Sequence, residues 1–245
     1  ITGGYGQLID YLKNECMAAG SELFTGFQVQ TIDWKKNAVT VTAADGRVVK
    51  GNRSVITIPV GLLQNNSIRF TPAIDKYIKA AQQIGYGSVI KILLQFKEPF
   101  WQERADDIGF IFTEEIVPTW WTQLPSKNGL LTGWFGGQQV LRVKGATEKE
   151  IASIAIQSLA KTLKIETSEL QKLLIAQEVR DWSINPFSCG AYSYSMLQTT
   201  EARKVFREPV EDTLYFAGEG YNEGESSGTV EAALESAQKV IKLVK

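Results

Sequence analysis

Leu214-Tyr215-Phe216-Ala217-Gly218-Glu219, followed after a short turn by Ser227-Gly228-Thr229-Val230-Glu231-Ala232-Ala233-Leu234, decides how the chain folds. The uncharged run Leu214–Ala217 reads as a buried strand, and the glycines after it let the backbone approach a neighbour closely. A helix begun at such a turn presents free N–H groups, which favour a negative group such as a pyrophosphate. Val230, Ala233, Leu234, Ala237 and Ile241 fall on one predicted buried stripe. Small residues at Ala233, Ser236 and Ala237 would allow close packing against a sheet or a ring system. The plainer alternative is an ordinary strand, turn and helix closing a domain, with Glu219 a solvated turn carboxylate.

Upstream, Gly3-Gly4-Tyr5-Gly6 leads into Leu8, Ile9, Leu12, Cys16 and Ala19, a helical stripe ending at Gly20, on which Cys16 reads as a small core residue. Short alternating stretches at 22–25, 27–34, 38–43, 47–50 and 54–58 predict a meander of strands. Thr71-Pro72 opens a helix over about 73–84, and 88–96 is the most apolar strand in the chain. Further strands are expected near 108–112, 119–123, 129–135, 173–182 and 213–217. A helix over 148–163 starts at the capping box Thr147-Glu148-Lys149-Glu150, and a last helix covers about 228–244. Strands outnumber helices without regular βαβ alternation, so the fold class is α/β in the α+β sense, with a mixed sheet flanked by helices.

The 245 residues contain no histidine, two cysteines (Cys16 and Cys189), 26 Lys+Arg and 27 Asp+Glu. A length of this order allows one or two domains with a real core. Without histidine, Ser-His-Asp and Cys-His nucleophile systems and His-based zinc sites are excluded, and two cysteines cannot form a four-cysteine site. Proton transfer near neutral pH then falls to a perturbed Lys, Glu, Asp or Tyr, and chemistry carried by a cofactor fits this shortage best. A net charge of −1 argues against nucleic acid as a partner. No apolar run is long enough for a membrane-spanning helix, so a soluble setting is expected, with the cytoplasm as the default compartment. No metal site is expected.

Two further features can carry chemistry. In Val89-Ile90-Lys91-Ile92-Leu93-Leu94, Lys91 is the one charge on a greasy strand. Such a lysine pairs, loses its proton or meets ordered water, unless it sits at a strand end or sheet edge and reaches solvent. The aromatics Trp182, Phe187, Tyr192 and Tyr194, with Trp120, Trp121 and Trp134, either cage an amine or pack a core.

Taken in order along the chain, these segments resemble the flavin-dependent amine oxidase family of monoamine oxidases, polyamine oxidases and flavin histone lysine demethylases. Gly3-Gly4-Tyr5-Gly6-Gln7-Leu8 is similar to the family's glycine segment, and Val55-Ile56-Thr57-Ile58-Pro59 to its strand ending in Thr-x-Pro. Lys91 falls on the family lysine that holds a water at the flavin, Pro99-Phe100-Trp101 on the following Phe-Trp, and Phe216-Ala217-Gly218-Glu219 with Gly228-Thr229-Val230 on the closing flavin motif. The resemblance implies catalytic roles for Lys91 and Tyr192, and FAD contacts at Val29, Trp182, Gly218, Glu219, Gly228, Thr229 and Val230. It also implies a small-molecule amine substrate. Residues 1–60 and 205–245 would form parts of an FAD-binding domain, and 61–204 a substrate-binding domain. The fold implied is a mixed-sheet substrate domain plus part of an FAD domain.

Three departures shape the expectation. Thr229 stands opposite Tyr192 where monoamine oxidases carry a second aromatic. Ala191 stands where some members bond the flavin through cysteine, so FAD should be non-covalent. No Gly-x-Gly-x-x-Gly occurs, so the chain is expected to be the C-terminal portion of a longer enzyme, inactive alone. The alternatives are a carotenoid- or porphyrin-type flavoprotein oxidase, and a non-catalytic binding protein that keeps the pocket without the cofactor.

Overall fold

The computed structural model describes residues 4–104, 106–224 and 226–244. Helix α1 (Tyr5–Ala18) precedes strands β1 (Val29–Lys35), β2 (Ala38–Ala43), β3 (Val48–Gly51) and β4 (Ser54–Ile56). Then come α2 (Val60–Gln64), β5 (Arg69–Thr71), α3 (Asp75–Ala81), β6 (Gly85–Gly87) and β7 (Val89–Phe96). Strands β8 (Phe110–Phe112), β9 (Thr119–Trp121) and β10 (Leu130–Gly136) follow, with α4 (Glu148–Leu163), α5 (Thr167–Leu173) and β11 (Leu174–Asp181). The chain closes with β12 (Tyr192–Tyr194), α6 (Thr199–Arg207), β13 (Leu214–Phe216) and α7 (Val230–Ile241).

Five strands form one antiparallel sheet in the order β11-β7-β10-β9-β8. Side chains on β7 alternate, so Ile90, Ile92, Leu94 and Phe96 enter the core while Lys91, Leu93 and Gln95 face the other way. The inward set meets Leu131 and Phe135 of β10 and the buried stripe Ile151, Ala155 and Leu159 of α4. The capping box forms as expected: Thr147 Oγ1 accepts from Glu150 N and the Glu150 carboxylate accepts from Thr147 N. Gly133 of β10 leaves room for the fully buried Trp120, whose ring a Cβ at 133 would meet at 2.7 Å. Gly133→Val is therefore expected to cost about 1–3 kcal/mol of stability, read as a lower denaturant midpoint at unchanged slope.

A second core joins β1, β2, β4, α2, α3, α6 and β13 around Ile56, Leu63, Tyr77, Phe206 and Phe216. Tyr77 stacks on Phe216 at 5.2 Å, and Phe206 meets Phe216 edge-on at the same separation. Here β13 lies parallel to β4, with Leu214 opposite Ser54, and β1 pairs antiparallel with β2 and parallel with β5. The mixed α/β class expected from the alternation of elements is what the chain adopts.

Several local expectations are corrected. Residues 22–25 form no strand but coil leading into a turn. The stripe Leu8, Ile9, Leu12, Cys16 and Ala19 covers no core: α1 has no buried residue, and Cys16 is exposed. On α7 the buried residues are Ala232, Ser236 and Val240, whereas Val230, Leu234 and Ile241 of the expected stripe are exposed. The apolar stripe of α1 is uncovered among the described residues, whereas α7 packs through Val240 on Tyr215 and Ala217 and leaves Val230, Leu234 and Ile241 exposed. Gly3 and Glu225, parts of the opening and closing glycine segments, lie outside the described residues.

Candidate active site

Lys91 stands on a central strand, not at an edge, because β7 pairs with β11 on one side and β10 on the other. Directly across from it are Arg180 and Trp134. It opens into a cavity of about 410 Å³ lined by Val89, Lys91, Trp121, Trp134, Trp182, Ala191 and Tyr192. Lys91 Nζ lies 5.7 Å from the centroid of the Trp121 ring, so its charge is met by an aromatic face. Burial pushes the Tyr192 phenol up, and the Trp134 side chain partly offsets that shift.

Backbone pairing holds this wall together. Trp182 N donates to Val89 O at 3.0 Å, Gly190 N to Trp182 O at 3.0 Å, and Ala191 N to Gly87 O at 2.8 Å. Short antiparallel pairing then sets Tyr192 opposite Gly87. The aromatic residues singled out in the sequence divide between environments. Trp121, Trp134, Trp182 and Tyr192 line the Lys91 cavity, and Trp120 is core. Tyr194 covers Gly85, and Phe187 lines a separate cavity.

The closing turn abuts this wall. At Gly228 φ is +81°, and a Cβ there would stand 3.3 Å from Ser193 O and 3.5 Å from Tyr192 Cδ2. Gly218 also has positive φ, +148°, and its N–H donates to Ser236 Oγ of α7 at 3.1 Å. Thr229 caps α7, its Oγ1 accepting from Ala232 N at 3.1 Å, and Val230 begins the helix. The Glu219 carboxylate is fully engaged within the chain: Ser193 Oγ donates at 2.6 Å, Gly228 N at 2.9 Å and Ser193 N at 3.1 Å.

Behind it the buried Arg203 donates through Nη2 to Ser193 Oγ and through Nε to Gly220 O, both at 3.0 Å. Burial pulls the Arg203 guanidinium below its ordinary value, opposed by the nearby Glu219 charge. Burial, then Glu219 and Cys189, push the Tyr86 phenol up to about 12. Neither Ser193 nor Arg203 was singled out in the sequence. The available signal was an arginine one residue after Ala202 and three before Phe206, on the inward side of a nine-residue helix.

Val29 lies apart from Lys91, at a larger cavity of about 720 Å³ that also takes in Phe27, Thr57, Pro59 and Ile68. The chain thus offers an apolar cavity at Val29 and a glycine turn with a capped helix N-terminus beside Tyr192. It also offers an aromatic chamber with a lysine. No Gly-x-Gly-x-x-Gly accompanies them in these 245 residues. Among the described residues no helix is long and apolar enough to cross a membrane.

Comparison with known proteins agrees with this reading. The family model described as flavin containing amine oxidoreductase matches residues 1–241. Lysine-specific histone demethylase 1B of Mus musculus is 28% identical over 234 residues, which is 91% of this chain and 27% of that protein. Polyamine oxidase 4 of Oryza sativa subsp. japonica is 28% identical over 242 residues, 96% of this chain and 48% of that protein. Among solved structures, a putrescine oxidase double mutant from a redesign of cofactor binding superposes with a TM-score of 0.77 at 21% identity, over 94% of this chain and 51% of that one. Cyclohexylamine oxidase from Brevibacterium oxydans gives 0.72 at 21% identity, over 89% of this chain and 48% of that one. The chain spans from about a quarter to about half the length of these relatives. By the match over nearly its whole length, the chain belongs to the flavin containing amine oxidoreductase family.

Proposed function

We propose that this chain carries the amine-binding half of an FAD-dependent amine oxidase, with Lys91 and Tyr192 at the reacting centre and FAD held non-covalently. The observation that carries this is the placement of Lys91 on a central strand, in a cavity walled by Trp121, Trp134, Trp182 and Tyr192 beside the glycine turn at Gly228. Among the relatives, the names polyamine oxidase, putrescine oxidase and cyclohexylamine oxidase all describe oxidation of amines.

Bound FAD supplies the two-electron acceptor for oxidation of the amine to an imine, with dioxygen as the final oxidant and hydrogen peroxide as the product. Lys91 Nζ holds a water by hydrogen bonding in the chamber, and that water is placed for hydrolysis and proton transfer. The tryptophan walls present a largely apolar surface, which favours the neutral amine needed for oxidation over its ammonium form. Tyr192, whose phenol burial pushes up, presents a neutral ring face to the amine. Ala191 offers no thiol for a flavin bond.

In this reading Gly218, Glu219, Gly228, Thr229 and Val230 form the flavin side of the chamber, with Glu219 holding the turn in shape. Trp182 would pack beside the flavin ring, and Val29 would mark the adenine end. Residues 1–60 and 205–245 belong to the FAD-binding part and 61–204 to the substrate part.

The 245-residue chain alone is expected to take up little FAD. Joined to a dinucleotide-binding segment it should bind FAD, turn yellow and release peroxide when given an amine. A joined protein that stays colourless under saturating FAD would overturn the proposal.

A further inference from the structure

The face of the five-stranded sheet that carries Lys91 has a composition that bears on the amine. Register places Arg180, Lys91, Trp134, Thr119 and Phe112 in one cross-strand row. The next row on the same face is Glu178, Leu93, Thr132, Trp121 and Phe110. Aromatic rings therefore continue from the Lys91 chamber out to strand β8. Phe110 lies 6.4 Å from Trp121, and Phe112 stacks on Phe110 at 5.9 Å with the rings 5° from parallel. Phe110 and Phe112 are 62% and 74% exposed, so the track leads from the chamber to open solvent.

Carboxylates are placed elsewhere. On this face, among the described residues of the five strands, the one carboxylate is Glu178, and it is ion-paired with Arg180. None of the described residues that line the chamber is a carboxylate. Glu115 belongs to a turn that packs against α4, and neither it nor Glu114 lines the chamber. There Val117 N donates to Ser158 Oγ at 3.2 Å, and Glu115 lies 3.7 Å from Lys161. Asp106 and Asp107 do not line the chamber either.

A second ammonium on a diamine or polyamine would meet Lys91, Arg180 and aromatic rings, with no free carboxylate among the described residues of this face and chamber to pair it. Desolvating that charge without a counter-ion is unfavourable, whereas an apolar body gains by covering Trp121, Phe110 and Phe112. We infer that this site takes a monoamine whose remaining body is apolar, such as an arylalkylamine, and discriminates against diamines and polyamines. The inference deepens the amine-oxidase reading and rests on it.

The test needs no flavin, because Trp121, Trp134 and Trp182 report on the chamber through their own fluorescence. The 245-residue chain is titrated with 2-phenylethylamine, putrescine and spermidine at constant ionic strength. Saturable quenching by 2-phenylethylamine at concentrations roughly tenfold or more below those needed for either polyamine is the expected result. Equal or tighter binding of putrescine or spermidine would overturn the substrate class while leaving an amine site in place. No response to any amine would overturn the amine-site reading and this inference with it. The double variant Phe110→Ser/Phe112→Ser, at exposed positions, is expected to keep its circular dichroism and bind 2-phenylethylamine roughly three- to tenfold more weakly. Unchanged affinity in that variant would remove the track from the substrate's path.

Discussion

In protein loaded with FAD, Lys91→Met is expected to slow reduction of the flavin by amine roughly 10²- to 10⁴-fold, the range over which a positioned proton-transfer group acts. Methionine matches the length of the lysine stem and suits the tryptophan walls, so the sheet should fold unchanged. Amine binding should change little, because the wall residues Trp121, Trp134 and Tyr192 remain in place. Stopped-flow absorbance under anaerobic conditions separates the two quantities. A variant that reduces flavin within a few-fold of the parent rate would make Lys91 a lysine that only packs against Trp121.

Glu219→Ala is the second substitution with a large expected effect, and its readout is stability. The change removes three hydrogen bonds to a charged acceptor, from Ser193 N, Ser193 Oγ and Gly228 N. It also leaves the buried Arg203 without its nearby counter-charge. Losing these bonds and leaving their donors unpaired costs about 1–3 kcal/mol, and Glu219→Gln should cost less because an amide oxygen can still accept. Urea unfolding followed by circular dichroism measures both. A loss below about 1 kcal/mol for Glu219→Ala would return Glu219 to the status of a solvated turn carboxylate. Because the same carboxylate links β12, which carries Tyr192, to the turn before α7, Glu219→Ala should also loosen the chamber wall.

Parts of the molecule governed by local physics were legible in the sequence. The capping box at Thr147 and Glu150 reports itself within four residues, and the alternation of 88–96 reports β7. Lys91 was conspicuous because a charge on an apolar strand demands an explanation, and its central position in the sheet supplied what the strand pattern lacked. That α1 buries no residue, and which face of α7 is buried, were not legible, because a periodic stripe tells which side is apolar but not what covers it. Val230, Leu234 and Ile241 are apolar yet exposed, while the small residues Ala232 and Ser236 are the ones that pack. The Ser193–Glu219–Arg203 arrangement was hidden for another reason. Its bonds join residues 26 and 10 positions apart, on elements whose local pattern carries no sign of the partner.

The separation of Val29 from Lys91 into two cavities has the same origin. Both were named from sequence, but only the packing of β1 into one core and β7 into the other sets them apart.

The central claim, that the Lys91 chamber oxidises an amine, is tested most directly by following the absorbance of FAD bound to the chain joined to a dinucleotide-binding segment. The flavin band should bleach when 2-phenylethylamine is added without oxygen, return on admitting air with release of peroxide, and bleach far more slowly in Lys91→Met. Protein that holds FAD yet keeps its band unchanged with 2-phenylethylamine, putrescine and spermidine alike would contradict the account.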